Sequence, residues 1–158
     1  MILGCPIGSA GFMRERVEER VNKIEELFTA MDDIGSTHHK WTLARWTLNT
    51  SKLMHLIRSV PPHEIQTQLR RFDLVWQNAI SRWIGMQLGP KQVEQLALPL
   101  DRGGLGIQSA VATGEVAFLA SALSSLDLQK QLSGKEDYSV RRRTSLMARC
   151  CQICSLRQ

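Results

Sequence analysis

The sequence has few cysteines, few aromatic residues and no long apolar run. Of its 158 residues, 4 are cysteine, and three of these lie together near the carboxyl end, which is unlike a secreted disulfide framework. No apolar run approaches the ~20 residues of a membrane-spanning helix. The apolar segment Met1–Gly8 is too short and too rich in Gly and Pro for a signal peptide. The chain is therefore predicted to be intracellular, nuclear or cytoplasmic, with no membrane partner.

The hydrophobic fraction of 43% is enough for a packed core and excludes a wholly disordered chain. The formal net charge of +5 is unevenly distributed. Residues 1–39 carry −3, residues 40–82 carry +5, residues 83–133 carry −1 and residues 134–158 carry +4. The positive charge therefore lies in two separate zones, one within a strongly patterned segment and one in a terminal segment with little periodicity.

Apolar residues at steps of three and four predict three amphipathic helices. The first runs from about 11 to 31, the second from about 37 to 60 and the third from 62 or 63 to 88. The second has two apolar faces and a polar patch at 49–51, where a bend is expected. The tryptophans fall on apolar stripes and are predicted to pack in the core: Trp41, Trp46, Trp76 and Trp83.

A short helix is predicted over residues 90–97, followed by a pair of extended segments around a glycine turn near 98–107. Ser109 is expected to cap a last helix, which is apolar on nearly every side and so predicted to be largely buried. The predicted fold class is mainly α, a bundle of four to five helices with a short extended N-terminal segment. Residues 134–158 are predicted to form a disordered or loosely helical basic tail that contains Cys150, Cys151 and Cys154.

Three short motifs suggest chemistry, but their context argues against it. Asp32-Asp33 ends a helix and lacks the converging oxygens of a Mg²⁺ site. The Gly103–Gly106 segment neither follows a buried strand nor opens a helix, as a phosphate loop does. The pair Cys151 and Cys154 has no second pair of zinc ligands nearby. We therefore predict no catalytic residue and no metal ligand.

Cationic side chains on the polar stripes of two successive helices are the remaining candidate site: Arg45 and Lys52 on one, Arg71 and Arg82 on the other. Helices normally carry solvated Lys and Arg, so ordinary surface charge is one interpretation. The other is a surface that follows a nucleic-acid backbone, whose contacts position a duplex without reading its sequence.

Short segments within residues 2–125 resemble, in order, the region that closes and follows the palm of non-LTR (LINE-like) retrotransposon reverse transcriptases. Leu3-Gly4-Cys5-Pro6-Ile7-Gly8 is similar to the palm-closing segment, which assigns Leu3 and Gly4 to a primer-grip-like position. The later matching segments are Val17–Val21, Leu56–Pro62, Arg71–Asp73, Leu98–Leu100, Gly103–Ile107 with Ser109, and Ala117–Ser121.

The resemblance implies that residues 1–10 are the remnant of a palm-closing segment and that residues 11–133 form a helical thumb and connection-like domain. Such a domain holds an RNA–DNA template–primer duplex, here through Arg45, Lys52, Arg71 and Arg82. The fingers and the palm aspartates, with their Mg²⁺, are expected upstream of Met1. The chain is then a non-catalytic fragment with no cofactor of its own, and the missing palm and fingers are a candidate partner.

Two alternatives remain open from the sequence. The first is a helical protein-interaction module whose two-faced second helix docks a partner. The second is a degenerate pseudogene remnant without a selected function.

Overall fold

The computed structural model describes residues 5–133, and this part of the chain is a mainly helical bundle, which confirms the predicted fold class. Single 3₁₀ turns lie at Met31–Asp33, Pro62–Glu64 and Leu100–Arg102, and no β-strand is present in these residues. The predicted tail, with its three cysteines, and the predicted Leu3–Gly4 segment lie outside the described residues. The α-helices are α1 (Ala10–Ala30), α2 (Thr37–Thr47), α3 (Ser51–Ser59), α4 (Gln66–Ile84), α5 (Pro90–Ala97) and α6 (Ala110–Ser133).

The core forms where α1, α3, α4 and α6 pack together. Helix α1 begins after Ser9, whose Oγ accepts from the backbone N–H of Phe12. The rings of Phe28 on α1 and Trp76 on α4 meet edge to face, with centroids 4.8 Å apart. This arrangement adds about 0.5–1.5 kcal/mol to the burial of the two rings. The core side chains of these two helices are Val17, Val21, Ile24, Phe28, Leu69, Phe72, Val75, Trp76, Ala79 and Ile80.

The single helix predicted over residues 37–60 is two helices in the structure, divided at the polar patch. The Asn49 side-chain oxygen accepts from the backbone N–H of Thr50 at 2.7 Å and so competes with the helical bond. Thr50 is itself buried, and its hydroxyl donates to the carbonyl of Gln108 at 2.8 Å. The chain therefore breaks where a tertiary hydrogen bond outweighs helix continuity.

This break also overturns the prediction that all four tryptophans lie in the core. Trp76 is buried, but Trp46 is 76% exposed, and its neighbour Leu43 is exposed as well. Because the helical register is interrupted at Leu48–Thr50, the face that bears Leu43 and Trp46 is not continuous with the buried face of α3. In α2 the inner positions belong to Ala44 and, at its C-terminal cap, Leu48.

The segment around the predicted glycine turn folds back on the end of α5 without forming a sheet. The N–H groups of Leu105 and Ile107 both donate to the carbonyl of Leu96, and that of Gly106 donates to the carbonyl of Leu98. Gly104 has to be glycine, since a Cβ there would lie 2.0 Å from the carbonyl oxygen of Leu98. The turn is thus fixed by a close backbone approach.

The prediction that the last helix is largely buried is wrong. In α6, Val116 is 66% exposed and Leu132 is 80% exposed. Helix α6 packs on α3 and α4, and these neighbours cover only part of its surface. By length and composition, Ala110–Gln129 is apolar enough to cross a bilayer, a criterion that core helices of soluble proteins also meet.

Candidate nucleic-acid interface

Helix α1 carries opposite charges on the two sides of its buried stripe. Arg16, Arg20 and Lys23 follow one another at steps of four and three, which places them along one side. Glu18 and Glu25 lie on the other side, where both contact Arg71 of α4. The two sides face different neighbours, α3 and α4, so the helix divides a basic surface from an acidic one.

The basic side of α1 and the outer side of α3 enclose a cleft of about 340 Å³. We call this cleft the basic groove and define it by Arg16, Arg20, Lys23, Lys52 and His55, all of which are exposed. Its single carboxylate, Glu19, is paired with Arg16 at 2.7 Å.

Three cations of the basic groove are not paired with a carboxylate of the described residues. Arg20, Lys23 and Lys52 form no ion pair with any residue of the described range 5–133. The Nε2 atom of His55 lies 3.3 Å from the Sγ atom of Cys5, so the imidazole already has a neighbour at one edge. The groove therefore holds an excess of positive charge, which is suited to an anion.

Two of the four predicted phosphate contacts are occupied by carboxylates of this chain. Arg71 donates to Glu18 and, at 2.7 Å, to Glu25, and the hydrogen bond with Glu25 is the main reason that its pKa is raised. Arg82 pairs with Asp32 at 3.2 Å. These arginines tie α4 to α1 and to the turn that follows α1.

The same turn contains Asp32, the first member of the aspartate pair singled out in the sequence. Besides pairing with Arg82, Asp32 accepts from the indole N–H of Trp83 at 2.6 Å. Asp32 therefore has structural partners, and residues 5–133 contain no group of three His, Cys, Asp or Glu side chains placed to hold a metal ion.

Arg45, the third predicted contact, lies near two indole rings of its own helix. The centre of its guanidinium group is 5.6 Å from the ring centroid of Trp41 and 5.7 Å from that of Trp46. Lys52, the fourth, lies in the basic groove. The predicted contacts thus lie in different environments, and Lys52 is the one that lies in the basic groove beside two further unpaired cations, Arg20 and Lys23.

Arg16, Arg20 and Lys23 are not among the predicted contacts because residues 1–39, summed as one segment, are acidic overall. The signal that identifies them is their shared angular position around the helix axis. Residues at i, i+4 and i+7 share one side of a helix, whatever charges lie on the other side.

A second polar cluster joins α4 to the start of α6. The carboxylate of Asp73 accepts from the Ser109 hydroxyl at 2.6 Å and from the backbone N–H groups of Ala110 at 2.7 Å and Val111 at 3.4 Å. Burial raises the pKa of Asp73, and these three hydrogen bonds oppose that shift. Ser109 caps α6 as predicted, accepting from the backbone N–H of Ala112, and Asp73 supplies a second capping group from another helix.

Comparison with known proteins gives no relative on which to base a function. No family model, curated protein sequence or solved structure matches the chain.

Proposed function

We propose that this chain is a non-catalytic helical module that grips an RNA–DNA duplex through its backbone, as the thumb-like part of a retrotransposon-type reverse transcriptase. The observation that carries the proposal is the basic groove, where Lys23 and Lys52 from two helices meet beside Arg16 and Arg20. The link to reverse transcriptases rests on the ordered sequence segments alone.

The dimensions of the groove suit a phosphate backbone. Arg16 and Lys23 are seven residues apart on α1, which corresponds to about 10 Å along the helix axis at 1.5 Å per residue. One strand of a duplex carries a phosphate for about every 3.4 Å of axis, so this distance covers roughly three phosphates. Flexible, exposed Lys and Arg side chains contact phosphate oxygens without distinguishing bases, as a duplex-holding module requires.

The test is the affinity for a fluorescently labelled RNA–DNA hybrid, measured by anisotropy over a series of salt concentrations. Lys23→Gln/Lys52→Gln removes two cations of the groove, and each lost phosphate contact is expected to reduce the slope of log K against log salt by about 1. The matched control is Lys91→Gln/Arg102→Gln, which makes the same change in net charge at two exposed positions outside the groove.

We expect the groove variant to lose affinity and about two units of salt slope, while the control keeps the wild-type slope. Both variants replace only exposed side chains, so their circular dichroism spectra should match that of the wild-type chain. Equal effects of the two variants would mean that net charge, and not the groove, determines binding, and would refute the proposal.

A second candidate function, docking of a protein partner, is favoured by the apolar side chains that α6 leaves exposed, among them Leu128 and Leu132. An extended exposed apolar surface is typical of a protein contact, including contact with the rest of a longer polypeptide. Leu128→Glu/Leu132→Glu tests this candidate by sedimentation equilibrium. Self-association of the wild-type chain that the variant abolishes would support docking, whereas identical monomeric behaviour would give it no support.

A further inference from the structure

Planar side chains lie close together on α2, away from the basic groove; His38 and Trp46 are exposed, and Trp41 and Arg45 are half-buried. Trp46 is 76% exposed, although a tryptophan side chain carries one of the largest apolar surfaces of any residue. The guanidinium group of Arg45 lies over its ring and over that of Trp41. On the other side of Trp41, the ring of His38 follows at a centroid distance of 5.9 Å. We call these four residues the α2 row.

The charge around the α2 row selects the kind of partner. Residues 37–47 contain no Asp or Glu, so nothing on α2 repels an anion. The other lysine of the helix, Lys40, donates to the carbonyl of Asp32 at 2.9 Å and is engaged within the protein. Arg45, which is half-buried and has its guanidinium centre 5.6 and 5.7 Å from the two ring centroids, is therefore the cation that α2 offers to a ligand.

We propose that the α2 row binds an unpaired segment of nucleic acid, with a base stacked on Trp46 and Arg45 contacting the adjacent phosphate. Every base offers a π-face to an exposed indole, and a stacked guanidinium group keeps N–H donors at its edge for a phosphate oxygen. A protein partner would be better matched by an aliphatic surface. Leu43 is the one large aliphatic side chain of α2 that is exposed beside Trp46.

The inference rests on the proposed function, because both assume a nucleic-acid ligand. It places the unpaired segment of that ligand on the α2 row and not in the basic groove. A duplex has its bases stacked and paired, so a blunt hybrid offers no free base to Trp46. A hybrid with a single-stranded extension of roughly eight nucleotides does offer unpaired bases. An extension of that length lies within the range of site sizes of single-strand-binding proteins. The α2 row should therefore affect the affinity for the extended hybrid and leave that for the blunt one unchanged.

The experiment compares Trp46→Leu and Trp46→Phe with the wild-type chain on both hybrids. Leucine keeps apolar surface without a ring, whereas phenylalanine keeps a ring on which a base can stack. We expect Trp46→Leu to lose roughly 5- to 100-fold of the affinity for the extended hybrid, with no change on the blunt one. Trp46→Phe should retain most of the affinity. Because Trp46 is exposed, thermal unfolding should be nearly the same in all three proteins.

The outcomes separate this inference from the proposed function. Suppose that Lys23→Gln/Lys52→Gln leaves the affinity for the blunt hybrid unchanged while Trp46→Leu lowers the affinity for the extended hybrid. The proposed function of the basic groove is then refuted, and the inference about the α2 row is supported. Equal affinities of wild type and Trp46→Leu for the extended hybrid would overturn the inference. So would a Trp46→Leu variant that binds nucleic acid normally but loses self-association, since the indole would then serve a protein contact.

Discussion

Replacing Asp73 by alanine removes the acceptor that α4 supplies to the start of α6. The substitution leaves the Ser109 hydroxyl and the backbone N–H groups of Ala110 and Val111 without the carboxylate at a partly buried position. A hydrogen bond to a charged group stabilises by about 1.5–3 kcal/mol, and losing an N-terminal capping group costs about 0.5–2 kcal/mol. Burial raises the pKa of Asp73 by more than these hydrogen bonds lower it, so the expected cost of the substitution comes mainly from the buried donors that lose their acceptor.

We therefore expect Asp73→Ala to lower the free energy of unfolding by about 2 kcal/mol, close to the upper end of the capping range. The assay is urea unfolding followed by far-UV circular dichroism. Asp101→Ala is the matched control, because Asp101 is exposed and forms no ion pair or side-chain hydrogen bond within residues 5–133. A loss below about 0.5 kcal/mol for Asp73→Ala, the range of ordinary surface substitutions, would refute this account of the α4–α6 junction.

The same site makes a signed prediction about pH. Burial raises the pKa of Asp73 in the folded chain above the unfolded value of about 3.9. The folded state then binds this proton more tightly, so the contribution of Asp73 to stability is fully present below the unfolded pKa and is lost as pH rises through the folded pKa. Relative to Asp73→Asn, which cannot titrate, the wild-type chain should lose free energy of unfolding across that window. A difference that stays constant or grows with pH would contradict the assigned burial.

Two further substitutions test the packing of the turn and the weight of the ion pairs. Gly104→Ala should cost about 1–3 kcal/mol or more in urea unfolding, because its Cβ would overlap the Leu98 carbonyl. Gly35→Ala, which meets nothing within 4 Å, should be neutral or slightly stabilising, and equal effects of the two would contradict the turn geometry. Arg71→Gln should cost less than about 1 kcal/mol, since the pair with Glu25 is half exposed and screened by water. A loss of several kcal/mol would instead require an interaction that solvent does not screen.

The sequence was a good guide to the helices because their apolar period is local information. The stripe that includes Val21 and Phe28 predicts α1 within one residue at each end. The predicted limits of the short helix, residues 90–97, are those of α5 in the structure. The polar patch at 49–51 predicts a bend within one helix, and the structure has a full break there between α2 and α3. The bond from Thr50 to Gln108, 58 residues away, accompanies that break and is contained in no local pattern. The exposure of α6 was missed for a similar reason. Its apolar composition predicted burial, but burial depends on how many neighbours the fold supplies.

The candidate site was only partly accessible from the sequence. Lys52 was identified because it shares a polar stripe with His55, and the structure places both in the basic groove. Arg71 also lies on a polar stripe, but its position opposite two glutamates of α1 depends on how the helices pack. The sequence predicts Trp46 in the core because it shares an apolar face with Leu53 in a continuous helix. A tertiary break in that helix leaves it on the surface.

The salt dependence of RNA–DNA hybrid binding, compared between the wild-type chain and Lys23→Gln/Lys52→Gln, tests the role of the basic groove most directly. For the wild-type chain we expect log K to fall steeply with log salt, and for the variant we expect a slope smaller by about two. A flat wild-type profile, or a variant slope equal to that of the wild type, would contradict the assignment of the groove to a nucleic-acid backbone.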